Sequence, residues 1–245
     1  MIIKIINPNT TEKMTAAIGR CAEKYADSDT EIICESAGFG VDSIECFVDE
    51  YLAVPAVLKA ITEGDKSQNV DAYIIACFDD PGLMAAREMT DKPVVGIAEA
   101  AITTAKFLAP NFSVVSVLDR SRIMTEELII RNGAERFCRS IRSTGLSVLE
   151  FERNPEKGLN ALESQAKRAV EEDGAECILL GCAGFVDFAE ELRKRLGVPV
   201  LDGVMPAVKY AEALVKMGQK TCKKNSFSWP EEKEYTGYEG ISIVK

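Results

Sequence analysis

The chain repeats itself at an interval of about 105 to 110 residues, and an internal duplication of that length limits the fold more than any single element does. Asp71-Ala72-Tyr73-Ile74-Ile75-Ala76-Cys77 matches Glu176-Cys177-Ile178-Leu179-Leu180-Gly181-Cys182, and Lys92-Pro93-Val94-Val95 matches Val198-Pro199-Val200-Leu201. Near the start of each half, Ile5-Ile6-Asn7-Pro8-Asn9 corresponds to Val115-Ser116-Val117-Leu118-Asp119, each leading into a helical pattern with a methionine in register, Met14 and Met124. The halves are therefore expected to be copies of one fold.

Within the first half, strand and helix signals alternate. Strands are expected over 2–6, 30–35, 72–76 and 94–97, the third a short continuous apolar run of the kind buried in a parallel sheet. Helices are expected over 11–25, through Val48, Leu52, Val57 and Leu58, and from near Glu99. Asp79-Asp80-Pro81 reads as a helix start, with an aspartate as N-cap and proline in the first turn. Such alternation predicts parallel sheets with right-handed crossovers, and hence an α/β protein of two pseudo-symmetric lobes, each a parallel sheet flanked by helices.

Charge narrows the function. With 29 basic and 39 acidic residues the formal net charge is −10, which repels phosphate backbones and anionic lipid, so neither a nucleic acid nor a membrane is expected as partner. Residues 1–7 read as a first strand, not a signal peptide, and no apolar stretch reaches membrane-spanning length. The eight cysteines lack the dense spacing of a secreted disulfide framework, which predicts a reducing cytoplasm. No C-x2-C pair and no histidine are present, so no metal site is expected. Gly38-Phe39-Gly40 has Ser43 where a third phosphate-loop glycine would stand, and no Walker lysine follows, so no nucleotide cofactor is expected.

Without histidine, another group must move protons near neutral pH. Cysteines 21, 34, 46, 138, 177 and 222 fall inside elements and read as small apolar filler. Cys77 and Cys182 differ because each closes an apolar strand, precedes a helix start that favours a thiolate, and matches the other in the repeat. Strand ends are where α/β sheets hold ligands. Two similar lobes facing one another place equivalent strand ends on opposite walls of a cleft, so the thiols should flank a flat carbon centre, as racemisation requires. Asn7 and Asn9, at another strand end, carry amides able both to donate and to accept, which suits polar groups of a ligand or, equally, a turn that caps the first helix; one of them is expected at the ligand.

These segments resemble the aspartate/glutamate racemase superfamily and, within it, the hydantoin and allantoin racemase branch. The resemblance is carried by Ile6-Asn7-Pro8-Asn9-Thr10, Ser43-Ile44-Glu45 with Asp49-Glu50 and Ala53-Val54-Pro55, Cys77-Phe78-Asp79-Asp80-Pro81-Gly82-Leu83, Val95-Gly96-Ile97-Ala98-Glu99-Ala100-Ala101, Gly181-Cys182-Ala183-Gly184 and Tyr235-Thr236-Gly237. Amino-acid racemases of the superfamily usually follow their cysteines with Asn-Thr and Thr-His; here Phe78-Asp79 and Ala183-Gly184 follow, which suits a neutral cyclic diamide better than a zwitterion. Ahead of Ser43 the resemblance leads one to expect Gly-Pro, and this chain has Gly40-Val41.

The resemblance implies a lobe of residues 1–98 plus 208–245, a second lobe of 99–207, and an active site in the cleft between them. It implies a cofactor-independent racemase of 5-substituted hydantoins or allantoin, a homo-oligomer, in which Cys77 and Cys182 exchange the C5 proton from opposite faces. Asn7, Asn9, Ser43, Ile44, Phe78, Val117 and Ala183 are the expected substrate contacts, with the N–H groups of Phe78 and Ala183 holding the enolate. Asp79 and Asp80 are expected to turn away as helix caps. Open alternatives are a one-cysteine enzyme of the maleate isomerase or arylmalonate decarboxylase type, an amino-acid racemase and a non-catalytic sensor. The segment 221–245 is expected either to wrap a neighbouring lobe or subunit or to trail as a tail.

Overall fold

The computed structural model describes residues 1–231, 233–238 and 240–243. Among the described residues, eight strands form two four-stranded sheets. The first contains β1 (Ile2–Asn7), β2 (Glu31–Ser36), β3 (Ala72–Ile75) and β4 (Val94–Gly96) in the order β2-β1-β3-β4. The second contains β5 (Phe112–Ser116), β6 (Cys138–Ser143), β7 (Ile178–Leu180) and β8 (Val200–Leu201) in the matching order β6-β5-β7-β8. Every pairing is parallel.

The duplication extends to individual hydrogen bonds. Ala76 N–H donates to Ile6 C=O at 2.9 Å, and its counterpart Gly181 N–H donates to Val115 C=O at 2.8 Å. Tyr73 and Ile178 N–H donate to Pro93 and Pro199 C=O, both at 2.9 Å. Together with Ala37 to Asn7 at 2.8 Å and Thr144 to Ser116 at 3.0 Å, these bonds align Asn7 with Ser116. The sequence match had aligned it with Val117; the true frame is one residue earlier, because apolar runs of equal character slide past each other in sequence, whereas the ladder permits one register.

Helices α1 (Glu12–Tyr25), α2 (Phe47–Ser67), α3 (Leu83–Met89) and α4 (Ile97–Leu108) occupy the first half. The second half holds α5 (Arg122–Arg131), α6 (Val148–Arg153), α7 (Pro155–Glu171), α8 (Ala189–Leu196) and α9 (Val204–Lys216). Strand periodicity divides the core: Ala72 and Ile74 of β3 face one hydrophobic cluster with α1 and α9, whereas Tyr73 and Ile75 face another with α2 and α3. The helices that follow the last strand of each sheet are exchanged. α4, through Ala98, Ala101, Ile102 and Ala105, packs with Phe112, Val114 and Leu179 of the second sheet, and α9 packs on β1, β3 and β4 of the first. This exchange, with α1 also touching the 3-10 segment Ala183–Phe188, joins the sheets through a continuous core.

The C-terminal segment runs back over the first sheet's helices. Thr221 N–H donates to Asp91 C=O at 2.8 Å, Lys223 Nζ to Arg87 C=O at 2.6 Å, and Thr62 Oγ1 to Ser242 C=O at 3.0 Å. Glu232, Glu239, Val244 and Lys245 of the expected 221–245 segment lie outside the described residues. Among the described residues no helix is long and apolar enough to cross a membrane.

Candidate active site

Cys77 and Cys182 each lie two residues beyond the end of an equivalent central strand, β3 and β7, and both are half-buried free thiols. Each opens the same turn. Cys77 C=O accepts from Asp80 N–H at 3.0 Å and Cys182 C=O from Phe185 N–H at 3.1 Å, while the N–H two residues on, of Asp79 and of Gly184, points at the sulfur and favours its thiolate. The cysteines are near enough that the charge of Cys182 bears on Cys77.

The helix ends differ from the sequence expectation. The α3 helix begins only at Leu83, with Gly82 at its N-cap in the left-handed region at φ 71°, so no α-helix N-terminus directly abuts Cys77. Cys182 caps the 3-10 segment, and α8 starts at Ala189. Burial foremost and then the Asp79 charge raise the Cys77 thiol well above its ordinary value. Burial, followed by Asp79, Glu45 and Glu152, pushes Cys182 up to about 12 against the helping Gly184 N–H. The thiolates are thus less favoured than a helix terminus would make them, because desolvation exceeds what one N–H returns.

The two aspartates also separate. Asp80 is a cap, but of α4 and not of the helix that follows it: its carboxylate, 1% exposed, accepts from Ala98 N–H at 3.0 Å and Glu99 N–H at 2.9 Å. A Cβ on Gly96 would collide with that carboxylate, which explains glycine there. Asp79 is not a cap. Its Oδ2 lies 3.9 Å from Cys77 Sγ, and burial followed by the Glu50 charge pushes it up to about 7, with Arg131 and Cys77 opposing. Sequence reasoning missed this contact, although the doublet offered a signal: one cap position needs one acid.

Asn7 is fully buried, and its Nδ2 donates to Asn9 Oδ1 and Thr15 Oγ1, both at 2.9 Å. Asn9 Oδ1 also accepts from Thr11 N–H at 2.9 Å, while Asn9 Nδ2 reaches only Met14 Sδ at 3.2 Å, a weak acceptor. Met14 in turn borders Gly184, beside Cys182. Asn7 is thus the buried hub of the turn, and Asn9 presents its amide toward the Cys182 wall. Phe78, 2% exposed, inserts its ring among α4 and second-sheet residues, so only its backbone faces the turn. Val117 and Ala183 are core residues, and the Val117 C=O is taken by Gly145 N–H at 2.9 Å. Ser43 is half-exposed in the loop before α2 and Ile44 is buried; next to them Glu45 Oε1 accepts from Val148 N–H at 2.7 Å, tying that loop to α6 of the other half.

A cavity of about 130 Å³ opens onto Cys182 between α1 and α6, walled by Met14, Val148, Phe151 and Phe188 with Lys13 and Glu152 at its polar side. A larger one, about 570 Å³, is lined by Pro230, residues 233–236, Tyr238 and residues 240–243, and touches neither cysteine. Of these two, the smaller is the one that touches a cysteine of the pair.

The profile of the Asp/Glu/Hydantoin racemase family matches residues 3–211. A hydantoin racemase from Pseudomonas sp. (strain NS671) is 52% identical, covering 97% of this chain and 95% of its own. The crystal structure of allantoin racemase from Pseudomonas fluorescens is 39% identical with a TM-score of 0.93, covering 97% of this chain and 100% of its own. The allantoin racemase from Klebsiella pneumoniae is 41% identical with a TM-score of 0.94, covering 97% of this chain and 96% of its own. By profile, identity and fold together, the chain belongs to the Asp/Glu/Hydantoin racemase family.

Proposed function

We propose that the protein is a cofactor-independent racemase of 5-substituted hydantoins, allantoin included, with Cys77 and Cys182 as its two bases. The observation that carries this reading is the pair of equivalent turns, each presenting a half-buried thiol at the end of a central strand of opposite lobes. The lobes are residues 1–98 with the chain from 208 onward, and 99–207.

One cysteine, as thiolate, takes the C5 proton; the C–H electron pair moves onto C5 and delocalises over the C4 carbonyl as an enolate. The other, as thiol, returns a proton to the opposite face. Backbone N–H groups at Phe78 and Ala183 hold the enolate oxygen, and the Asn9 amide meets the ring. Raised thiol values fit this work: a thiolate that forms only reluctantly is the stronger base toward a carbon acid, although fewer are present at any instant.

The test is NMR in deuterated buffer with single-enantiomer allantoin and 5-alkyl hydantoins, following loss of the C5 proton alongside optical rotation. Wild type should lose both signals together. Cys77→Ser and Cys182→Ser should each abolish the loss of rotation. Racemisation that persists in either variant overturns the two-base reading.

A further inference from the structure

The same first hydrogen-bonded turn follows both cysteines, but the side chain two residues on differs, Asp79 in one half and Gly184 in the other. We infer that Asp79 is a positioning residue for Cys77 alone, accepting its thiol proton, so that the two halves of the site prepare their cysteines differently. This rests on the racemase reading above only for its kinetic arm.

Geometry supports it first. Asp79 Oδ2 is 3.9 Å from Cys77 Sγ, at the long end of an S–H···O contact. Among the described residues the carboxylate has no other hydrogen-bonded duty, whereas Asp80 next to it is occupied by two α4 N–H groups. Asp79 is half-buried, so water in the cleft can reach it. The charged groups around it are Glu50 from α2, which makes its anion costlier, and Arg131 from α5, which favours it. Cys77 is faced by Asp79, Asp80 and Cys182; Cys182 by Asp79, Glu45 and Glu152, with only a backbone N–H as direct partner.

The step balances simply. The proton leaves Cys77 Sγ, the bonding pair stays on sulfur as thiolate, and Asp79 Oδ2 becomes a neutral acid that holds the proton while the thiolate acts. The pair then titrates as a unit: it holds two protons at low pH, shares one above the first step, and reaches full thiolate only at high pH. With Asp79 near 7, the first step lies close to neutrality.

Two measurements test this. In the kinetic arm, C5 hydrogen exchange without inversion is followed in Cys182→Ser, which isolates Cys77, and in Cys77→Ser, which isolates Cys182. Adding Asp79→Asn should remove, in the first background, the limb near pH 7 below which the rate falls and above which it levels off, so that at pH 8, one unit above that limb, exchange becomes about tenfold faster; in the second background the change should be far smaller. Asp79→Glu should restore the limb. In the second arm, alkylation of Cys77 by iodoacetamide is followed by mass spectrometry from pH 5 to 11 without substrate. Wild type should show a step near pH 7 before the main rise, and Asp79→Asn should show only the later rise. An equal change in both backgrounds, slower exchange in the first, or a pH 7 step that survives Asp79→Asn, overturns the inference. Failure of wild type to exchange any hydantoin would overturn the substrate reading instead, and alkylation would still decide the role of Asp79.

Discussion

Asp80 supplies the sharpest test of how the first lobe is held to α4. Its carboxylate satisfies two of the N–H groups that a helix start leaves without partners, those of Ala98 and Glu99, at 3.0 and 2.9 Å. Asp80→Ala removes a cap worth about 1 kcal/mol. It also strands the buried Ala98 N–H, at about 1 to 3 kcal/mol. Because Asp80 sits at φ 48°, alanine there adds about 1 kcal/mol of left-handed strain. Glu99 softens the loss, since its own side chain accepts Gly96 N–H at 3.2 Å and keeps that part of the turn closed. The sum is about 3 to 5 kcal/mol, or a fall in Tm of roughly 6 to 20 °C for a chain this size. Asp80→Asn tolerates the same φ and keeps one acceptor, so it should cost about 1 to 2 kcal/mol. Urea melts by circular dichroism measure both, and amide exchange at Ala98 and Glu99 localises the effect. A cost under about 1 kcal/mol for alanine, or equal costs for the two variants, would refute the capping account.

Three further outcomes follow from the same structure. Asp79 and Asp80 both bind their protons more tightly folded than unfolded, near 7 and 8, so the native state holds more protons between about pH 4 and 8 and their contribution to stability falls as pH rises through that window; melts at pH 5 and 9 check it, and Asp79→Asn should flatten the slope. Lys4, fully buried on β1, pairs with Glu35 at 2.7 Å and Gln68 at 2.8 Å; Glu35→Ala should cost about 2 kcal/mol while Lys4→Met stays within about 1 kcal/mol, as denaturant midpoints will show. Asn7→Ala should cost about 1 kcal/mol, since Asn9 Oδ1 keeps Thr11 N–H and Thr15 Oγ1 keeps Ser36, whereas Asn9→Ala removes the acceptor of both Asn7 Nδ2 and Thr11 N–H and should cost about 1 to 3 kcal/mol as well as raise KM for a hydantoin about tenfold; denaturant midpoints and initial rates check both.

The lobes were legible because two signals agreed: apolar runs of strand length spaced by helical patterns, and their recurrence 105 residues later at Cys77 and Cys182. Less legible was anything decided by contacts between halves. That α4 and α9 trade sheets cannot be read from their periodicity, since an apolar face does not name its partner. Asp80 has the composition of a local cap yet bonds 18 residues away, and Asp79 looks identical to it in sequence while pointing at a thiol. Helix N-termini were expected beside both cysteines; a turn intervenes at Cys77 because Gly82 takes the left-handed position and delays α3 to Leu83. Asn7 and Asn9 were indistinguishable by residue type; both are buried, and the partners of their amide groups separate them.

The difference between the halves can be tested by moving it. At Gly184, the counterpart of Asp79, an added Cβ would meet Met14 Cε at 3.5 Å and Cys182 Sγ at 3.6 Å, ordinary contact distances, and its φ is not in the left-handed region. A side chain is therefore allowed there. Gly184→Asp places a carboxylate beside Cys182 in the same turn that places Asp79 beside Cys77. Alone, it should give Cys182 an early alkylation step and, in the Cys77→Ser background, a pH limb in exchange that the parent lacks. Combined with Asp79→Asn, it should transfer the limb from one thiol to the other. Racemisation itself constrains what may change: substrate and product are enantiomers with an equilibrium constant of one, so kcat/KM must remain equal in both directions however the carboxylate is moved, and only kcat and KM separately can diverge. A carboxylate at 184 that leaves Cys182 titrating as before would mean that proximity within this turn does not set the thiol's behaviour, and that the Asp79 contact owes its effect to Glu50 and Arg131, in whose place Glu45 and Glu152 bear on Cys182.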